Sequence, residues 1–212
     1  GRIYKQMYTD AVAGKLAAEP QVRNLYLERS FAAYMTVWQA EKSPDTAYYG
    51  VNAVAIAFRA MRDKVTGEDS GARGLAEEVL AVVATMKEPD VWAWATRGEA
   101  LIALGRFDEA ARAYSNVAVS KIATPYQLSA CLRQLEEVWG ISGADPATGA
   151  PVRMLKAALL GKVIESSGEG KPGGAGIQKQ PPPQTTQVTM SPAEAKLKIG
   201  RASCRERVFS SV

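Results

Sequence analysis

The chain is predicted to be all-α, an α-solenoid of about four helix pairs, and two observations carry the prediction. The first is the stretch 94–114, WATRGEALIALGRFDEAARAY, in which two apolar stripes at helical spacing flank Gly105 and the second begins at once with Phe107. That is a helical hairpin. The second is a repeated opening: Pro44-Asp45 and Pro89-Asp90 each stand a few residues before an aromatic cluster, Tyr48 and Tyr49 or Trp92 and Trp94. Setting Tyr49 against Trp94 and Ala53 against Gly98 gives a period of about 45 residues, longer than the ~34 of a standard helix-pair repeat, with the excess falling between the two helices of the earlier unit.

Each element follows from local chemistry. Ile3, Met7, Val12 and Leu16 recur at four- to five-residue steps, predicting a helix over residues 1–16 that reads as truncated on its left. Pro20 interrupts, because its ring and missing N–H disfavour a helix interior. A second helix is expected over 22–40, with Leu25, Phe31, Tyr34, Val37 and Trp38 on one broad apolar face, ending at Ser43-Pro44. Asp45 and Asp90 are both expected to cap the helices that follow them, by accepting from backbone N–H groups two or three residues on. Between the helices of the second pair, residues 63–73 hold Gly67, Gly71 and several charges, an insertion expected to loop out. A helix over 75–86 closes that pair, and the 94–114 hairpin supplies the third. Leu128, Leu132, Leu135 and Val138 then predict a helix from Pro125 to about Trp139; a turn over 140–149 leads to a last helix over 152–164, with Pro151 in its first turn.

The composition changes after that. Residues 165–190 include GEGKPGGAG and QPPPQ, too poor in apolar side chains to offset chain entropy, and are expected to be a disordered linker. Residues 191–198 look like a helix start, with Ser191 as cap, Pro192 in the first turn and Glu194 three residues on, as if a further domain had been lost. IGRASCRERV, which opens residues 199–212, looks like a translated sequencing adapter. The helical repeat domain is thus assigned to 1–164.

Composition excludes several classes of function. The 212 residues contain no histidine, which removes the usual general base, the Ser-His and Cys-His nucleophile pairs and the commonest ligand of catalytic zinc. Cys131 and Cys204 are too few for a disulfide framework or a thiolate metal site, so a reducing, cytoplasmic setting is expected. No apolar run approaches the roughly 18 residues of a membrane span. The net charge of +4 falls to +2 once Arg201, Arg205, Arg207 and Glu206 of the adapter-like tail are set aside, so basicity says little about nucleic acid. Nothing points to a cofactor or to catalytic residues, and no enzyme activity is expected of this segment.

The 94–114 hairpin resembles one tetratricopeptide repeat in the placing of Trp94, Gly98, Leu101, Gly105, Phe107, Ala110, Tyr114 and Pro125. GRIYKQMY at residues 1–8, the aromatic stripe around Tyr34, and YYGVNAVAIAF at 48–58 together resemble the TRAFs-binding tetratricopeptide region of apoptosis signal-regulating kinases and its bacterial relatives. In that family GRIYKD-like residues begin a helix and a Tyr-x-Gly-[IV]-Asn motif opens a later one. Gln6 stands here where an Asp is usual, whereas Tyr48, Gly50, Val51 and Asn52 match closely. The resemblance covers about residues 1–164. It implies a helical scaffold within a larger, bacterial signalling protein, or alternatively the accessory domain of a multidomain hydrolase or kinase.

Candidate contacts come from the aromatic openings. In a helix-pair stack the first helix of each pair lines the concave surface, so Trp92, Arg97 and Glu99 are candidates to meet a protein or peptide partner while Trp94 packs inward. Other groups have simpler accounts. Glu77-Glu78 and Glu136-Glu137 are adjacent on helices and do not face each other, so they read as solvated faces. The closely spaced glycines Gly168, Gly170, Gly173, Gly174 and Gly176 lack the strand and Gly-Lys-Ser or Gly-Lys-Thr of a phosphate loop. Cys131, among leucines, reads as a buried small hydrophobe. Arg59, Arg62 and Lys64 form a short basic patch interrupted by Asp63, too narrow for nucleic acid.

Overall fold

The structure, a computed structural model, describes residues 1–65 and 71–168. The expected linker over 165–190 lies outside it from residue 169 on, as do the expected helix start at 191–198 and the adapter-like 199–212. Eight α-helices make up the described chain: α1 (Arg2–Val12), α2 (Pro20–Ala40), α3 (Ala47–Arg62), α4 (Ala72–Ala84), α5 (Val91–Ala103), α6 (Phe107–Val119), α7 (Pro125–Arg133) and α8 (Ala150–Gly168). There is no strand among the described residues, and none of their helices is long and apolar enough to cross a membrane. The protein is all-α.

Helix ends depart from expectation where proline and glycine set the backbone. Pro20 opens α2 instead of interrupting ahead of it, because at the first helical position its missing N–H has no partner to lose. The first helix stops at Val12, four residues early: Gly14 takes φ +72°, and the Asp10 carbonyl accepts from both Lys15 and Leu16 N–H at 2.8 and 3.1 Å. Asp90 caps α5 as expected, accepting from Ala93 N–H at 2.7 Å. Asp45 does not cap α3. It lies inside a one-turn 3₁₀ segment, Pro44–Thr46, where Thr46 Oγ1 instead accepts from Ser43 N–H at 3.0 Å. The helix expected over 75–86 begins earlier, at Ala72, behind a left-handed Gly71, and stops at Ala84. The last helix extends beyond 152–164 at both ends. Of the expected loop at 63–73, residues 66–70 lie outside the described chain.

The helix expected from Pro125 to Trp139 divides in two. Thr124 caps α7 by accepting from Gln127 N–H at 3.2 Å, and regular α-helix lasts to Arg133. Residues Gln134–Trp139 then widen into a π-turn that ends at Gly140 (φ +68°), whose neighbour Ile141 donates its N–H back to the Leu135 carbonyl at 2.9 Å.

Successive helices pack on one another from α1 to α6; α3 also touches α5, α5 touches α7, and α8 covers both α6 and α7. The core follows this order. Tyr8, Leu27, Tyr34, Ala53 and Ile56 join α1, α2 and α3; Trp38, Val51, Val79, Ala93 and Ala100 join α2 to α5; Leu101, Tyr114, Leu128, Leu135, Val152 and Leu155 join α5 to α8. Two glycines set the closest approaches. A Cβ on Gly98 would lie 2.5 Å from the Tyr114 ring, and one on Gly50 would lie 2.6 Å from Val79 and 2.8 Å from Trp38. Neither helix pair could close so tightly around a larger residue.

Candidate functional site

The odd-numbered helices line one groove of about 500 Å³. Helical periodicity selects the stripe each of them contributes. From α1 come Arg2, Lys5, Gln6 and Thr9, and from α3 Tyr48 and Asn52. Trp92, Thr96 and Glu99 face it from α5; Tyr126, Arg133 and Gln134 face it from α7 and its π-turn. Two of the aromatics are well exposed, Tyr48 at 41% and Tyr126 at 60%.

A polar network ties the four helices together at the groove. Lys5 Nζ donates to Asn52 Oδ1 at 2.6 Å and to Gln134 Oε1 at 2.8 Å. Gln134 Nε2 and Trp139 Nε1 each donate to Glu99 Oε2 at 2.8 Å. Asn52 completes its own set by donating to the Tyr48 carbonyl at 2.8 Å. Burial governs the charges. Desolvation pulls the Lys5 ammonium down to about 8; Arg2 and Arg133 add to that lowering, while Glu99 and Glu137 oppose it. Desolvation also pushes the Glu99 carboxyl above its ordinary range, against the bonds from Trp139 and Gln134 and the charge of Lys5.

The structure sorts the three expected contact residues. Trp92 is half-buried and lines the groove. Glu99 lines it too, but it is buried and its carboxylate is engaged by Gln134 and Trp139, so it shapes the floor instead of presenting a free charge. Arg97 is not on the groove. Its guanidinium lies 5.6 Å from the centre of the Trp94 ring, because residues 92, 96 and 99 share one helical stripe and residue 97 falls between stripes with 94. Trp94 packs against the α5–α8 core.

The remaining candidates resolve into structure. Glu78 and Glu136 form exposed ion pairs with Lys42 and Lys156 at 2.8 and 2.7 Å. Cys131 is buried, and burial pushes its thiol up to about 12, far from a nucleophilic thiolate. Two of the three basic residues at 59–64 are engaged internally, and Lys64 is exposed: Arg59 is buried, bonded to Asp63 and to the Glu137 carbonyl, and Arg62 pairs with Asp63 at 3.2 Å. Among the described residues no group of Cys, Asp or Glu is arranged to hold a metal. Of the closely spaced glycines only Gly168 is described, as the last residue of α8.

Lys5, Asn52 and Gln134 were not legible as a site. One signal did exist, a lone Asn52 inside the apolar run that follows Tyr48, since a buried amide must find partners. Comparison with protein-family models, with curated proteins and with solved structures found no match.

Proposed function

We propose that the chain is a protein–protein interaction scaffold, a tetratricopeptide-like solenoid of four helix pairs whose concave groove receives a segment of a partner protein. The observation that carries this reading is that α1, α3, α5 and α7, the first helix of each proposed pair, supply most of the lining of a single groove, to which α4 adds Val83 and α2, α6 and α8 add nothing. Each pair buries its apolar stripe on the next, the nearly one-dimensional arrangement from which repeat proteins build binding surfaces. The groove holds half-buried Trp92 beside exposed Tyr48 and Tyr126, the rigid aromatic side chains that anchor interfaces.

The resemblance to the TRAFs-binding tetratricopeptide region supports the same reading, under which the chain is a regulatory arm of a larger cytoplasmic, bacterial signalling protein. The matching motif has physical content here: Gly50 admits Trp38 and Val79, and Asn52 holds Lys5. Partners of the eukaryotic family do not carry over to a bacterial protein. The test is recovery of partners from the source cell on immobilised protein, parent against Trp92→Ala. Loss of a tryptophan anchor should cost about 2 kcal/mol or more of binding; identical recovery by the variant would remove the groove as the docking surface.

A further inference from the structure

We propose that the N-terminal half of α1 is a gate over the groove, latched by Lys5 and opening ahead of the Tyr8 anchor. The gate uses the same groove as the binding reading above, but its test needs no ligand. Three observations carry it. First, every side chain that α1 turns toward the groove is polar: Arg2, Lys5, Gln6 and Thr9. Closure on that side therefore rests on hydrogen bonds, with no apolar burial to hold it. Second, α1 buries only Tyr8 and Ala11, and among the described helices it packs extensively on α2 alone. Tyr8 anchors the C-terminal half, its ring in the cluster with Leu27 and Ile56 and its hydroxyl donating to Asp63. Third, among the described residues Lys5 is the one side chain of α1 that reaches the far wall, through Gln134, 129 residues away in the chain.

The groove side of the N-terminal half is otherwise unsecured. Arg2 forms no ion pair among the described residues, Ile3 points outward at 75% exposed, and Tyr4 stacks on Tyr26 of α2, on the side away from α7, with ring centres 6.5 Å apart. The Gly1 carbonyl accepts from Ser30 on α2, which keeps α1 beside α2 without tying it to α7. Release of Lys5 from Asn52 and Gln134 would thus open the groove along one wall while α3, α5 and α7 keep their packing.

Hydrogen–deuterium exchange read by mass spectrometry on the intact chain tests the gate, with Lys5→Met and Gln134→Leu removing the latch from opposite sides. Exchange of the hydrogen-bonded amides of residues 5–7 should rise roughly tenfold in both variants, as loss of a charge-assisted hydrogen bond implies, while residues 91–119 exchange as in the parent. Unchanged exchange in residues 5–7 of both variants would overturn the gate. So would a rise spread evenly over all helices, which would show Lys5 and Gln134 supporting the whole fold. If Lys5→Met fails to fold, Gln134→Leu decides the matter.

Discussion

The α5–α6 hairpin and α1 show how differently two amphipathic helices of one chain are held. Ten residues of α5 are buried, with Tyr114 of α6 seated against Gly98 and fully enclosed. Only two residues of α1 are buried, and its groove face is secured by the hydrogen bonds of one lysine. Helical periodicity is clear in both segments. What separates them is how many sides of the helix meet another element, since burial, not propensity, supplies most helical stability in proteins.

Emptying the secure end of this comparison should have the largest effect. Tyr114→Ala removes a fully buried ring from the α5–α8 core and should cost about 3–5 kcal/mol, read as a drop in the urea midpoint. A cost below about 1 kcal/mol would show that the hairpin is not the core of the fold.

The insecure end should show itself through pH. Below about pH 8 both folded and unfolded chains keep the Lys5 proton, and the folded state bears the cost of a desolvated ammonium. Between about 8 and the ordinary 10.5 the folded chain sheds the proton first, so this group makes stability rise with pH. Glu99 and Glu137 oppose the shift from the groove, and Arg2 and Arg133 reinforce it. Urea midpoints of the parent and Lys5→Met at about pH 7.5 and 9.5 isolate this contribution, because tyrosine ionisation is common to both. The parent should gain relative to the variant; parallel midpoints would mean Lys5 is not desolvated.

The smallest effect belongs to the Tyr114 hydroxyl, which is buried and finds no partner among the described residues. Tyr114→Phe should leave the midpoint unchanged or raise it by up to about 1 kcal/mol, since an unsatisfied buried hydroxyl destabilises the fold. A clear loss would reveal a partner for that oxygen, and would place part of the hairpin's security in polar bonds like those of α1.

Much of the fold was legible because its determinants are local. The 94–114 hairpin, the Asp90 cap, Pro125 at the start of α7 and the buried character of Cys131 each rest on residues within a turn or two of each other. Expectations failed where two local signals competed: Asp45 against Ser43 and Thr46 for the start of α3, or Pro20 as breaker against Pro20 as first helical residue. For the candidate site, Trp92 and Glu99 share a stripe that periodicity alone selects, and placing Arg97 with them ignored the 100° each residue turns about the axis. Gly50 belongs to the Tyr-x-Gly-[IV]-Asn pattern, but its close approach to Trp38 and Val79 is visible only with the helices docked.

What the amino-acid order determined by itself was an all-α chain, the approximate span of each helix and the apolar face each would bury. These depend on backbone preferences and periodicity within ten or so residues. Only the tertiary structure decided which polar side chains meet. Lys5, Asn52, Glu99, Gln134 and Trp139 belong to four different helices and their connections, and none carries a spacing signal that links it to the others. Their meeting depends on how the helices dock on one another, a sum of small packing choices around residues such as Gly50 and Gly98 that no single segment contains.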